Sequence, residues 1–424
     1  MNIAILGSGG REHAICDKLK QSKSKNKLFC LPGNAGTSNI ATNINCNILD
    51  FKETYKIIKK NKIELIIVGP EQPLVNGIVD FFKSKKIKIF GPDKFCSNLE
   101  GSKHFTKKIC DNNNIPTAKY GFFDNFNKAK NFINKNKIPI VIKADGLASG
   151  KGVYVCKSKR QAIKSVKEIL SGKFKSSSKV LLEEFLEGEE MSYFIIADRN
   201  NFKFFGTAQD HKRVGENDTG LNTGGMGAYS PSAIINNKLE SKIIEKIIKP
   251  TLKTLKEKNH PYKGFLYVGL MIVKNEPYLI EYNVRMGDPE CQTIMTRLDT
   301  DFLNIIKACI NNSLDKIKIK WKKEQSICVV LCSKGYPKKH IKNIEIKNIN
   351  KINLKKNEFI FHAGTYLKDK KTYSAGGRVL NIISTSKKLQ LARNNIFKII
   401  KELKWSSGFY RKDIGWRAIN TIKK

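Results

Sequence analysis

The segment Tyr278-Leu279-Ile280-Glu281-Tyr282-Asn283-Val284-Arg285-Met286-Gly287-Asp288-Pro289-Glu290 carries the densest chemistry in the chain. A strand period of two sets Glu281, Asn283 and Arg285 on one face, and Tyr278, Ile280, Tyr282 and Val284 on the other. The apolar face should anchor in a core while the polar one looks into a cleft. Carboxylate and amide oxygens are hard ligands that suit Mg²⁺, which binds a few protein oxygens together with waters and substrate phosphates. Arg285 beside them offers a planar fork for a carboxylate. The bland alternative, an exposed strand face, would leave Leu279 in solvent among three polar side chains.

Four other segments have spacing that could serve the same cleft. Residues 138–153 deliver Lys143 at the end of an apolar strand, then a loop holding Gly146, Ser149, Gly150 and Gly152, then another β-rich run. This is not a Walker A loop, because three residues separate Gly146 from Gly150 and Gly152 follows Lys151 where Ser or Thr belongs. A hairpin whose amides fold over phosphates, with Lys143 as a point charge on them, fits better than a plain surface hairpin. Residues 179–192 run an apolar strand into an acidic hinge, where amides near Glu183 and Leu186 could meet an adenine edge and Glu190 could accept from ribose hydroxyls. An isolated acidic cluster of this kind would otherwise be a solvated turn. Asp210-His211-Lys212-Arg213 precedes a glycine-rich stretch with little core-forming capacity, which reads as a substrate loop. His211 is open to two readings there, general base or structural histidine. Finally, residues 7–12 look like a dinucleotide turn, except that Glu12 stands where the third glycine is needed; Gly9 and Gly10 then suggest a monophosphate site at a helix N-terminus, or a purely structural turn.

The elements that must position these groups follow from length and pattern. At roughly 150 residues per domain, 424 residues make about three domains. Residues 2–6, 28–31, 65–68 and 87–90 are continuous apolar runs ending in Gly or Pro, as buried parallel strands do. The expected architecture is an amino-terminal open α/β domain over 1–100, a central domain over 101–300, and a carboxy-terminal mixed α/β domain over 325–424, with 316–323 as a linker.

Composition narrows the class. No apolar run approaches the roughly 20 residues of a membrane span, and the first residues read as a strand and not as a leader, so a cytoplasmic protein is expected. The formal charge of +40 invites a nucleic-acid reading, yet only ten of the 78 basic residues are Arg. A surface that reads phosphates and bases uses more Arg, so the charge is taken as a solvated lysine surface without specific nucleic-acid binding. Against that background an arginine marks a place that needs fork geometry. The ten cysteines form no CxxC pair and the six histidines no zinc spacing, so reduced core thiols are expected and zinc is not.

Together these segments resemble the ATP-grasp ligases and, more narrowly, the phosphoribosylamine-glycine ligase family, also called glycinamide ribonucleotide synthetases. The resemblance runs through residues 7–13, 32–37, 68–74, 99–105, 141–153, 183–190, 209–229, 285–292, 361–365, 376–380 and 411–418, and 285–292 is the family's signature. It implies an ATP-grasp fold for the central domain, with a mobile lid over about 118–188. It also implies the reaction of ATP, glycine and 5-phosphoribosylamine to ADP, phosphate and glycinamide ribonucleotide in purine synthesis, by way of a glycyl phosphate. By the same resemblance, Lys103 and Lys143 hold ATP phosphates under the 146–152 loop, and Glu183, Leu186 and Glu190 bind the nucleoside. Glu281 and Asn283 bind Mg²⁺ or Mn²⁺, Arg285 binds the glycine carboxylate, and Lys143, Arg285 and Asp210 are the catalytic set. Phosphoribosylamine is expected among Gly9, Gly10, Gly36, Glu71, Asp210, Gly225 and Asp288. The sequence departs from related patterns at Leu270, where many ATP-grasp enzymes have a further metal carboxylate, and at Leu221, commonly Pro. A monofunctional monomer is expected. Two other readings stay open: a different ATP-grasp ligase, such as a biotin carboxylase or an aminoimidazole ribonucleotide carboxylase, and a basic polyanion-binding protein.

Overall fold

In a computed structural model of the chain, residues 1–147, 152–174 and 179–421 are described. Apolar runs that end in glycine or proline become the parallel strands their composition suggests. β1 (Asn2–Gly7), β2 (Lys27–Pro32), β3 (Thr42–Asn43), β4 (Leu65–Val68) and β5 (Lys88–Phe90) pair in the order β3-β2-β1-β4-β5, all parallel. Two-residue β3 is too short for any periodic signal. The strand order reverses between β1 and β4, so the loops bearing Gly9 and Glu71 flank the crevice at the switch point.

A second sheet is antiparallel: β6 (Tyr120–Phe123), β7 (Ile140–Ala144), β8 (Val153–Cys156) and β9 (Val180–Glu184), in the order β6-β9-β7-β8. Two helices, Phe126–Lys135 and Lys159–Glu168, cover it and close a core of its own around Ile133, Ile142, Val166 and Leu182. This core is separate from the two that serve the rest of the chain.

The largest sheet joins β10 (Glu189–Asp198), β11 (Phe202–Asp210), β14 (Gly227–Ser230), β15 (Lys263–Val273), β16 (Glu276–Asn283), β17 (Gln325–Ser333), β18 (Glu358–His362) and β21 (Arg378–Ser386). Its order is β16-β15-β10-β11-β14-β17-β21-β18, with β22 (Gly408–Phe409) paired to β17. Two ribbons, β12 (Arg213–Gly215) with β13 (Thr219–Asn222) and β19 (Thr365–Lys368) with β20 (Lys371–Ser374), stand apart. Because β14 pairs with β17 over Gly227↔Val329 to Ser230↔Ser326, one sheet crosses the break expected between residues 300 and 325. The carboxy-terminal segment is thereby fixed to the strand that follows the glycine-rich loop. All ten cysteines are free and nine are buried, and among the described residues no helix is long and apolar enough to cross a membrane.

Candidate active site

The phosphate side of the cleft starts from a buried carboxylate. Glu183 lies in β9 with 3% of its surface exposed, and an ionised group so enclosed must be paired. Its two oxygens take Lys143 Nζ and Lys107 Nζ, each at 2.5 Å. Burial pushes the Glu183 carboxyl up, but the two ammonium groups win and hold it below its ordinary value. The Glu183 side chain thus orders the lysines and leaves only its backbone for the nucleoside, while Leu186 sits in the hinge between β9 and β10 and Glu190 is the second residue of β10. Lys107, which no sequence pattern singled out, also donates to Thr117 Oγ1 at 2.6 Å.

The root of the glycine-rich loop is tied to the helix Lys103–Asn112. Asp145 Oδ1 accepts from the amides of Lys103 (2.7 Å) and Gly146 (3.0 Å), and Lys103 Nζ donates to the Gly146 carbonyl at 3.1 Å. The Gly152 carbonyl accepts from Ala144 N at 2.9 Å, closing the hairpin between β7 and β8. Ser149 and Gly150 lie outside the described residues. Burial lowers the Lys103 ammonium, with Glu281 opposing it.

The strand that carries Glu281 is not a simple alternation. Gly269 pairs with Glu281 but Leu270 with Leu279, so Ile280 is an extra residue in β16. A bulge of this kind resets the parity of the side chains. Leu279, Tyr282 and Val284 go to the core together, each 1% exposed, in place of the expected Tyr278, Ile280, Tyr282 and Val284. The bulge also removes the objection that Leu279 would sit among polar groups. Leu270 pairs opposite it and is fully buried in the same core.

Glu281 and Asn283 therefore keep the cleft face. Lys212 Nζ stands 3.0 Å from Glu190 and 3.9 Å from Glu281, bridging the two carboxylates. Burial raises the Glu281 carboxyl, but Lys212, Lys143, Lys103 and Arg285 together hold it down. Asn283 turns its amide nitrogen to Glu100 Oε1 (2.8 Å) and the Tyr282 carbonyl (3.2 Å), so its oxygen faces the other way. One carboxylate and one amide oxygen fit a hard cation that keeps waters and substrate phosphates. Among the described residues no group of three or more His, Cys, Asp or Glu forms a richer cage.

On the acceptor side, Arg285 is gripped from two directions. Its Nε donates to Glu71 Oε2 (3.2 Å), Nη2 to Glu100 Oε1 (2.7 Å) and Nη1 to the Met286 carbonyl (3.2 Å). Arg285 holds the Glu71 carboxyl down at about 2 against the cost of burial, helped by Arg11. Glu100, at the end of the helix Lys94–Gly101, is pushed up to about 7 by burial, with Arg285 opposing. Its other oxygen accepts from Val284 N at 2.8 Å, so Glu100 ties together three consecutive residues of the signature strand's end.

The glycine turn after β1 corrects the monophosphate reading. Glu12 Oε2 accepts from Gly9 N at 2.6 Å and Oε1 from Arg11 Nε at 2.6 Å, so the helix N-terminus already holds a carboxylate of its own. A Cβ on Gly7 or on Gly69 would fall within 2.6 Å of that side chain, which explains glycine at both. Gly10 and Gly36 are also not open to the cleft: a Cβ there would collide with Asn381 and with His13 and His362, respectively. They serve close packing of the amino- and carboxy-terminal segments. Gly9 borders the cleft beside Asp288.

Asp288 and Gly225 are joined by a residue from the far end of the chain. Arg378 Nη1 donates to the Gly224 and Asp288 carbonyls, both at 2.6 Å, and Nη2 stands 3.3 Å from Asp288 Oδ2. Tyr336 Oη accepts from Gly224 N at 3.0 Å. Asp210 lies against Gly225, and among the described residues its buried Oδ1 has no hydrogen-bond partner; burial and Glu290 push its carboxyl well up. Arg411, 1% exposed, donates to Asp218 (2.9 Å), to both oxygens of Asp413 (2.8 and 2.7 Å) and to the Arg213 carbonyl (2.9 Å). His211 Nε2 accepts from Gly415 N at 2.9 Å, and burial lowers its pKa, so it is a structural histidine that fastens the loop. Lys107, Glu100, Lys212, Arg378 and Arg411 were not singled out as site residues from sequence; rarity of arginine was the available signal for the last two.

Three family models match the chain: the N domain of phosphoribosylglycinamide synthetase over residues 1–100, its ATP-grasp (A) domain over 101–291 and its C domain over 326–417. The phosphoribosylamine-glycine ligase of Brucella melitensis is 43% identical over 424 residues, covering 100% of this chain and 99% of the relative. A crystal structure of phosphoribosylamine-glycine ligase from Thermotoga maritima superposes with a TM-score of 0.85 at 33% identity, covering 98% and 100% of the two chains. A biotin carboxylase complex from Campylobacter jejuni reaches a TM-score of 0.73 at 16% identity, covering 100% and 95%, a likeness of fold alone.

Proposed function

The chain belongs to the phosphoribosylglycinamide synthetase family, and from that premise we propose how its residues divide the ATP-driven ligation of glycine to 5-phosphoribosylamine. A carboxylate oxygen cannot leave when an amine attacks. A glycine oxygen therefore first takes the γ-phosphoryl group, giving ADP and glycyl phosphate. The amine nitrogen of phosphoribosylamine then attacks the carbonyl, phosphate departs with that oxygen, and the nitrogen loses a proton. Positioning and charge neutralisation are the protein's share of this work.

Lys143 and Lys103 bind the phosphates from the root of the 146–152 loop, and Lys143 keeps its place through Glu183 and Lys107. Leu186 and Glu190 take the nucleoside. Glu281 and Asn283 would hold a divalent cation, Mg²⁺ or Mn²⁺, which would supply charge neutralisation for phosphoryl transfer. Arg285 presents its guanidinium to the glycine carboxylate, and Glu71 and Glu100 set the plane of that fork. Asp210, with its unpartnered Oδ1, is the acceptor for the amine or a hydroxyl of phosphoribosylamine, beside Gly225, Asp288 and Gly9. The working units are residues 1–100, 101–300 with the lid at 118–188, and 325–424, in a cytoplasmic monomer.

The observation that carries this reading is the meeting of Lys143, Glu281, Lys212 and Arg285 in one cleft, on a chain matched by the family over nearly its whole length. ADP release should require both glycine and freshly generated phosphoribosylamine. ADP formed with bicarbonate in place of glycine would overturn it in favour of a carboxylase.

A further inference from the structure

The sheet face that carries Asp210 also holds a second carboxylate, Glu290, which the ligation scheme leaves unused. Ser192 of β10 pairs with Ala208 of β11. Opposed residues share a face, as do residues two apart along a strand, so Ser192 and Asp210 project to the same side. The helix Glu290–Arg297 packs against β11 and β14 and sets its first residue over that face. Glu290 Oε1 accepts from Ser192 Oγ at 3.2 Å, and Tyr267 Oη stands 3.2 Å from the same hydroxyl. Ser192, Tyr267, Asp210 and Lys212 line one small cavity.

The two carboxylates differ in access. Glu290 is 4% exposed, whereas Asp210 is half-buried at the cleft. Gly225, at a φ of +113°, sets the spacing: a Cβ there would fall 2.8 Å from Asp210 Oδ1 and 2.5 Å from Pro289 Cδ. Asp210 thus packs across one glycine from the residue that precedes Glu290. Glu183 has two ammonium groups on its oxygens, but among the described residues neither Asp210 nor Glu290 forms an ion pair. Burial raises the Asp210 carboxyl, and the charge of Glu290 raises it further, as does Glu190, with Lys212 and Arg378 opposing. Burial also raises Glu290, against its own backbone amide, Lys212 and Arg285, while Asp288 adds to the rise.

We propose that Glu290, fixed by Ser192 over the face from which Asp210 projects, is a positioning residue that prepares Asp210 to take the proton of the attacking amine. The inference rests on the ligation reading above and names the group that acts behind Asp210. As the amine nitrogen bonds to the carbonyl carbon of glycyl phosphate, the bond from that carbon to the phosphate-bearing oxygen breaks. Phosphate leaves with the electron pair, and the nitrogen's proton passes to the Asp210 carboxylate. A carboxylate beside another is a stronger base than one alone, because taking a proton relieves their repulsion. A base works best when its strength is matched to the working pH.

The test is the pH profile of kcat/KM for phosphoribosylamine, with ATP, Mg²⁺ and glycine saturating, which reports the base that must be ionised before the amine attacks. Glu290→Gln keeps the size of the side chain and removes its charge. It should move the acid limb of the profile down by about one pH unit or more, and Glu290→Asp, which restores the charge, should bring the limb back toward that of the unaltered enzyme. A purely structural residue would change the rate without moving the limb. A limb that stays in place in Glu290→Gln would overturn the proposal, as would Gln and Asp variants that move it equally. Should Glu290→Gln not fold, infrared difference spectra of the unaltered enzyme against Asp210→Asn carry the test: they should hold a protonated-carboxyl band that titrates above about pH 6, well over the ordinary aspartate value. Absence of that band, or its titration in the ordinary range, would also overturn the proposal. The infrared titration uses no substrate, so its failure is distinct from a failure of the ligation reading, which would show as ADP release that does not need phosphoribosylamine.

Discussion

The two sides of the cleft are built by different means. On the phosphate side the cations are lysines, and Lys143, Lys107 and Lys103 are held by Glu183, Asp145 and Gly146 from within the central segment. On the acceptor side the cations are arginines, and each bridges segments distant in sequence: Arg285 to Glu71 and Glu100, Arg378 to Gly224 and Asp288, Arg411 to Asp218. A point charge suits the spread charge of a triphosphate. A planar fork suits a fixed carboxylate or a frame of carbonyls. The phosphate half of the site is held from within one segment and the acceptor half by pairs between segments.

That contrast can be broken experimentally. The largest effects belong to the phosphate side: Lys143→Ala and Glu281→Gln should each cut ADP release by about 10²–10³-fold or more, with circular dichroism unchanged. Full turnover by either variant would remove that residue from the mechanism. Glu183→Gln strands two buried ammonium groups and should cost about 3–5 kcal/mol, read by denaturant unfolding of the lid. A loss below about 1 kcal/mol would mean that the lysines are solvated and not paired there.

Smaller, substrate-selective effects are expected on the acceptor side. Arg285→Lys keeps the charge but loses the fork, and should raise the glycine KM about tenfold or more with the ATP KM unmoved. An unchanged glycine titration would refute its role. Arg378→Lys should raise the KM for phosphoribosylamine by a few-fold to about tenfold, again sparing ATP; a change confined to ATP would erase the division drawn here.

An effect on stability alone, away from the chemistry, is graded with pH. His13 and His362 pack together where the first and last segments meet, and His13 Nδ1 accepts from His362 N at 2.9 Å. Burial lowers His13 to about 3, helped by His362, and burial lowers His362 to about 4. Both folded values lie below the unfolded one near 6.5, so the unfolded chain binds protons first. Stability is full above about pH 6.5 and falls as pH drops toward 4 and 3, at most about 2 kcal/mol per histidine by pH 5. A thermal midpoint equal at pH 7 and pH 5 would show that the junction is hydrated.

Most of the site was legible as residue types in local patterns. The run Glu281-Tyr282-Asn283-Val284-Arg285 announced a polar strand face, and the apolar run ending in Lys143 announced a charge at the mouth of a hairpin. What misled was anything decided by a neighbour far along the chain. Gly10 and Gly36 were expected beside phosphoribosylamine, yet a side chain would meet Asn381 at the one and His13 and His362 at the other. Gly9 read as an anion-binding amide, but Glu12 answers it from three residues away. The strand parity failed at Ile280, because a bulge is set by the register against β15 and not by any local preference.

From its order of residues alone, this chain determines where polar groups end apolar strands, which cations are forks and which are points, and that the first hundred residues wind as parallel strands. Hydrophobic period and backbone sterics act over a few residues, so they can be read there. Only the folded structure decides that Glu183 serves two lysines, that Glu100 steers Arg285 and that the last segment fastens the glycine-rich loop. Each of those choices follows from burial, which forces a charge to find a partner wherever the fold brings one.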